Sequence, residues 1–89
     1  MSFTGMDVSA VRALASQMTS SASEIQQIAN QLTNQLQTAS WVGPDREHFV
    51  GDWQSTHVTQ LTQVVNALHD AAQRANANAQ EQENASNNG

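Results

Sequence analysis

Three histidines, His48, His57 and His69, are the side chains of this sequence best suited to metal binding or proton transfer. His48 and Asp52 are four residues apart, so on a helix they would share one face. His69 and Asp70 are adjacent, and adjacent residues on a helix do not converge on one ion. No two histidines have the i, i+4 spacing that helical zinc sites use. We therefore expect neither a bound metal nor a cofactor.

The other reactive side chains do not form a catalytic pattern either. The acidic residues are scattered, and the many serines and threonines lie in no nucleophile motif. A glycine-rich phosphate loop is absent, and the chain contains no cysteine, which excludes thiol chemistry and disulfides. The sequence therefore favours a protein that is not an enzyme.

The charge balance limits the classes of partner. The formal net charge is −5, with three basic and eight acidic side chains. Nucleic acids and anionic lipid surfaces are bound by clustered cations, so we expect neither as a partner. No apolar run approaches the roughly 18 residues of a membrane span, and we expect no stable membrane insertion. The N-terminus also lacks the basic and apolar regions of a cleavable Sec signal peptide.

Apolar residues between Asp7 and Ala39 recur with the heptad spacing of a helix that packs against other helices. Residues seven apart form three neighbouring lines along the helix. The first line is continuous, and the second is broken by Ser21 and Gln35. The third has alanines at its centre, which would allow another helix to approach closely. Asp7 is the predicted N-cap, with Ser9 as an alternative. The three lines are Val11, Met18, Ile25, Leu32 and Ala39; Leu14 and Ile28; and Val8, Ala15, Ala22, Ala29 and Leu36.

A turn is predicted where this first tract ends. Gly43 can adopt a positive φ, and Pro44 suits the first position of a new helix. The carboxylates of Asp45 and Glu47 would then lie in the first turn, where the helix dipole favours them. The second tract keeps three-to-four spacing through Phe49, Trp53, His57, Leu61, Val64, Val65 and Leu68 to Ala75.

These patterns predict an all-α chain that folds as an antiparallel helical hairpin, because the turn is short. Its predicted parts are an N-terminal arm (1–6), helix one (about 7–40), the turn (41–43), helix two (about 44–82) and a disordered tail (83–89). The apolar stripes are too wide for one partner helix each. We therefore expect a homodimer or heterodimer, with coiled-coil-like packing in a four-helix bundle. The predicted core and dimer stripe is Val11, Leu14, Met18, Ile25, Ile28, Leu32, Leu36, Leu61, Val64, Val65 and Leu68.

The aromatic residues cluster around the turn, and two interpretations of them are open. Phe49 and Trp53 are four residues apart and would lie on one helical face, while Trp41 could fold over the start of helix two. The cluster of Trp41, Phe49 and Trp53 could be a lid that closes the end of the hairpin. It could instead be a docking surface, since tryptophan is enriched at the centre of protein interfaces.

The tripeptide Trp41-Val42-Gly43, near the middle of a chain of 89 residues, resembles the turn of the WXG family. These are small, early-secreted-antigen-like proteins exported by type VII secretion systems of actinobacteria and firmicutes. A W-x-G tripeptide alone is a weak signal, but its position between two amphipathic tracts is specific. The resemblance covers nearly the whole chain, including its length, its acidity and its lack of cysteine.

This resemblance implies a hairpin that dimerises into a four-helix bundle and is exported without a Sec signal peptide. It also implies that Trp41 and Gly43 take part in recognition by the secretion ATPase. Family members tend to have a Tyr-x-x-x-Asp/Glu signal after helix two, whereas this chain has no tyrosine. The nearest spacings are Ala77 to Glu81 and Ala79 to Glu83. A partner chain could supply the missing signal, or this segment could be recognised in a variant form.

Three classes of function are compatible with this sequence. The first is a secreted substrate or co-secreted partner, made in the cytoplasm and exported to the extracellular space or the cell surface. The second is an intracellular adaptor or chaperone that covers the apolar helices of a larger effector or toxin. The third, a membrane-active protein, is the least favoured because the chain is acidic and its apolar stripe is rich in alanine.

Overall fold

The structure, a computed structural model, describes residues 5–88. Helix α1 spans Val8–Thr38 and is followed by a connecting segment, residues 39–43. The second arm consists of α2 (Pro44–Asp52), one turn of π-helix (Trp53–His57, the π-turn) and α3 (Val58–Asn88). α1 packs along α3, so the prediction of an all-helical hairpin is confirmed for the described residues. Residues 1–4 of the predicted N-terminal arm, and Gly89, lie outside the described range.

The two ends of α1 differ in how well the sequence predicted them. The side chain of Asp7 accepts a hydrogen bond from the backbone N–H of Ala10 over 3.1 Å, so the predicted N-cap is confirmed. The helix ends at Thr38, two residues before the predicted end at 40, since Ala39 has an extended backbone. The N–H of Trp41 then bonds to the carbonyl oxygen of Ala39 over 2.8 Å, which turns the chain sharply.

The second arm begins as the sequence predicted. Gly43 has φ 132°, a region that side chains with a Cβ rarely adopt, and Pro44 opens α2. Asp45 and Glu47 lie in the first turn of α2, at the positive end of its dipole.

The C-terminal end of the second arm differs from the prediction. Residues 83–88, predicted to be disordered, continue α3 to Asn88. Two contacts support this extension on its exposed surface. Glu83 forms an ion pair with Arg12 of α1 over 2.9 Å, and Gln80 donates a hydrogen bond to the side chain of Asn84 over 3.1 Å. The polar composition that indicated disorder therefore also supplies the helix with side-chain partners.

The helix–helix seam is made mainly of alanine. Ala15, Ala22 and Ala29 of α1 and Ala72 and Ala79 of α3 are between 0 and 3 % exposed. Small side chains allow the two helices to approach closely, as the alanine line of the first tract predicted. Of the predicted core and dimer stripe, Val65 alone is buried in the single hairpin and the other members are half-buried or exposed, so the part of the stripe that lies in a dimer stays a prediction. Because the alanines occupy the seam, the larger side chains lie beside it.

The hairpin is a long rod rather than a ball. Its principal extents are 67 × 19 × 17 Å, and its Cα radius of gyration is 19.9 Å. A compact domain of this length would have a radius of gyration of about 12 Å. Few residues are thus far from solvent, and much apolar surface stays exposed.

Candidate functional site

The burial of α1 decreases in steps around the helix. Ala15 and Ala22 are buried, Met18 is half-buried, and Leu14 and Ile28 are 50 % and 53 % exposed. With about 100° between successive residues, these three classes are neighbouring lines on one side of the helix. α3 therefore covers only one edge of the apolar stripe of α1.

The same steps occur on α3 from its buried line outward. Val65 and Ala72 are buried, Leu61 and Leu68 are half-buried, and Val64 is 46 % exposed. On α3, as on α1, the half-buried residue comes three positions after the buried one in the sequence, and the exposed residue comes four positions before the half-buried one. Because the helices run antiparallel, this order brings the exposed lines of both helices to the same side of the seam. We call the resulting surface the open face: Val11, Leu14, Met18, Ile25, Ile28, Leu32, Phe49, Trp53, Leu61, Val64 and Leu68.

None of these members is ionisable, and the exposed His57 lies at the edge of the open face, next to Trp53. The ion pair of Arg12 with Glu83 involves a line of α1 that lies beyond the alanine seam, away from Leu14. Exposed apolar surfaces of this kind are typical of protein–protein contact sites.

The turn end of the open face is aromatic. The rings of Trp41 and Phe49 are 5.6 Å apart at their centroids and tilted by 56°, a favourable geometry for an aromatic pair. Trp41 therefore folds over the start of the second arm, as the lid interpretation requires. Trp41 nevertheless stays 38 % exposed and Phe49 51 % exposed, and the adjacent Val42 is 96 % exposed. The pair closes the end of the hairpin and still presents apolar surface to solvent.

Trp53 lies between two shallow apolar grooves of the open face. A groove of about 370 Å³ is lined by Leu32, Gln35, Leu36, Phe49 and Trp53. A second groove is lined by Trp53, His57, Gln60, Leu61 and Val64. The indole is half-buried, and its ring lies 6.1 Å from that of His57, which is exposed.

Trp53 is oriented by Thr33, a residue that no sequence pattern singled out. Its indole N–H donates to the hydroxyl of Thr33 on α1 over 2.8 Å. Threonine is frequent in this chain, and no spacing marked Thr33 as the partner. The π-turn was also missed, although a step of five residues between Trp53 and Val58 was visible in the sequence.

Neither the histidines nor the mid-helix glycine forms a site of its own. Within residues 5–88 no three metal-binding side chains come together. His48, Asp52 and Glu47 line the same shallow surface depression beside Gly51, but within the described residues they do not come together closely enough to hold a metal ion. A Cβ added at Gly51 would meet nothing within 4 Å, so this glycine does not make room for a ring. The described helices also include none with the length and hydropathy needed to cross a bilayer.

Comparison of the chain with protein-family models, with curated proteins and with solved structures found no match. A function must therefore be inferred from the chemistry of the aromatic turn and of the open face.

Proposed function

We propose that this chain is a non-enzymatic secreted substrate, or a co-secreted partner, of a type VII secretion system. In this proposal the open face of one hairpin packs against a second WXG-type hairpin, identical or related, to give a four-helix bundle. Recognition by the secretion ATPase uses the turn, where Trp41 supplies an accessible ring and Gly43 permits the backbone that presents it.

The observation that supports this proposal most directly is the exposure of large aliphatic side chains on one uncharged face. Leu14, Ile28 and Val64 are each about half exposed in the single hairpin. Burying such side chains contributes roughly 25 cal/mol per Å² of apolar surface, and a second hairpin with a similar face is the simplest cover. The opposite side of the hairpin, where Arg12 pairs with Glu83, is polar and does not require a second hairpin to cover it.

The total surface area is compatible with such a cover. The hairpin exposes 6519 Å², whereas a compact monomer of 9.6 kDa would expose about 5,100 Å². If each of two chains buried the excess, the interface would cover about 2,800 Å², within the range of obligate dimers. This area is consistent with a permanent pairing of hairpins rather than a transient contact.

The proposal is tested by the state of association and by export. Sedimentation of the purified chain, alone and mixed with the product of its genomic neighbour, should reveal a two-hairpin species in one of the two samples. A cooperatively melting monomer in both samples at high concentration would contradict the four-helix bundle.

Export of Trp41→Ala tests the role of the turn. The ring pairs with Phe49 at the turn end of the rod, away from the alanine seam, and is 38 % exposed, so we expect nearly unchanged helicity and dimerisation but loss of export. Val42→Ala is the matched control, because Val42 is the neighbouring residue and is 96 % exposed. Unfolding of Trp41→Ala would support the lid interpretation alone, and normal export would remove the recognition role.

A specific feature favours an intracellular adaptor or chaperone as a second candidate. At the spacing of the expected export signal, Ala79 is 0 % exposed in the seam, and Glu83 is paired with Arg12. The Ala79 to Glu83 spacing is thus packed against α1, whereas Ala77 and Glu81, the other spacing, are exposed. A chaperone should stay in the cytoplasm and bind a heterologous hairpin more tightly than itself. Fractionation of cells that express both chains distinguishes this role from co-secretion.

A further inference from the structure

The π-turn interrupts an otherwise regular second arm. The backbone N–H of Val58 bonds to the carbonyl oxygen of Trp53, five residues earlier, instead of four as in an α-helix. Neither proline nor glycine lies within residues 53–57 to cause the irregularity. Single π-turns inside α-helices are rare and are frequently found at functional sites.

The burial pattern identifies the π-turn as the site of one extra residue. Along α3, the buried and half-buried positions alternate in steps of three and four residues, beginning with Val58, Leu61 and Val65. Upstream, Val50 and Trp53 are half-buried and are three residues apart, but the step from Trp53 to Val58 is five. A heptad pattern requires four at this point. The π-turn absorbs the surplus residue locally, which keeps α2 and α3 in register against α1.

The hydrogen bond of Trp53 to Thr33 shows that this register is maintained on the turn side. An α-helix with one residue fewer would give Trp53 the same position relative to α1. The extra residue is therefore not needed to fold the hairpin. Its effect is on the surface, where it sets the position of His57 beside Trp53 and shapes the groove that Leu61 and Val64 complete.

We propose that the π-turn is a one-residue insertion that determines specificity: it is dispensable for the hairpin and shapes the part of the open face on which a second copy of the chain docks. The second copy as occupant rests on the proposed function. It is supported by the excess exposed area, which is of the size that a stable dimer buries, and by the lack of acidic side chains among the members of the open face in a chain of net charge −5.

Deletion of Thr56 tests both parts of the proposal. The side chain of Thr56 is exposed, and its loss would convert the π-turn to α-helix without changing the heptad register. With three residues from Trp53 to His57 instead of four, the two side chains would lie about 60° apart around the helix, and the groove would change shape. We expect full helicity and an equal or higher melting temperature. We also expect self-association to weaken about tenfold, as for loss of a good interface contact.

The matched control is deletion of Asn66, an exposed residue in the regular part of α3. The buried and half-buried positions around Asn66 already have the regular steps of three and four residues. Deleting Asn66 would therefore move Val65 out of its buried site, and the hairpin should melt at a lower temperature. Equal destabilisation by the two deletions would overturn the inference that Thr56 lies in an insertion. Unchanged association of the Thr56 deletion would overturn its role in docking. If the wild-type chain is itself monomeric, the proposed homodimer fails, while the comparison of melting temperatures still decides the insertion.

Discussion

The indole Nε1 of Trp53 donates a hydrogen bond to Oγ1 of Thr33 over 2.8 Å, which links the π-turn to α1 across 20 residues of sequence. The Thr33 hydroxyl donates its own proton to the carbonyl oxygen of Ala29, also over 2.8 Å. A hydroxyl has one proton, so the two bonds have a fixed direction, from indole to hydroxyl to carbonyl. This chain of bonds fixes the aromatic side chain at the centre of the two grooves.

A double-mutant cycle measures what this bond contributes. Trp53→Phe keeps an aromatic ring without the N–H donor, and Thr33→Val keeps the shape of threonine without the hydroxyl. We expect a coupling free energy of about 1 kcal/mol from urea unfolding of the two single variants and the double variant. Additive effects of the two substitutions would mean that the contact contributes no net stability.

The sequence predicted the features of this fold that depend on local chemistry. Asp7 as the N-cap, Gly43 at the turn and Pro44 as the first residue of the second arm follow from backbone preferences, and each is observed. The alanine line predicted a close helix approach, since Ala15, Ala22 and Ala29 recur every seven residues on one face. The width of the stripe also predicted that some aliphatic side chains would stay uncovered by the second arm.

The features that the sequence did not predict depend on contacts between distant residues. The pairing of Trp53 with Thr33 requires the register of the two arms, which no local pattern specifies. Four-residue spacing placed His57 in the apolar stripe, but the π-turn brings Val58 to the seam and leaves His57 exposed. The end of α3 was missed because the composition of residues 83–88 resembles a disordered tail, whereas the structure continues the helix and pairs Glu83 with Arg12 on its half-exposed surface.

Glycine-to-alanine substitutions at two positions should change stability in opposite directions. Gly43 has φ 132°, so Gly43→Ala would strain the turn and should destabilise the hairpin by about 1–2 kcal/mol. Gly51 is helical and has open space around it, so Gly51→Ala should stabilise α2 by about 0.5–1 kcal/mol. Thermal unfolding of both variants checks the signs. A loss of stability at Gly51 would show that its surface is needed by a neighbour.

The alanine seam should not tolerate a larger side chain. Ala22 is 0 % exposed between the helices, and Ala22→Leu would force them apart at a cost of about 1–3 kcal/mol. Ser23→Leu places the same side chain on the exposed surface one residue later, where the change should stay within about 0.5 kcal/mol. Denaturant midpoints of the two variants give the comparison. Equal midpoints would mean that the helices can separate without loss of packing.

A charge placed on the open face should separate folding from association. Ile28 is 53 % exposed in the single hairpin, so Ile28→Glu keeps solvent access to its carboxylate as long as the chain is alone. In a four-helix bundle the same carboxylate would be buried without a partner, which costs several kcal/mol. We therefore expect the monomer to keep its helicity and the dissociation constant of the dimer to rise by at least about a hundredfold.

Gln27→Glu is the control for Ile28→Glu, because it adds the same charge at the adjacent exposed position, outside the open face. The dissociation constant of this control should change by less than about threefold, since a surface charge in water is largely screened. Analytical ultracentrifugation at matched ionic strength measures both variants. Similar dissociation constants for Ile28→Glu and the wild-type chain would show that the hairpins associate through another surface. Loss of helicity in Ile28→Glu would show instead that Ile28 stabilises the hairpin itself.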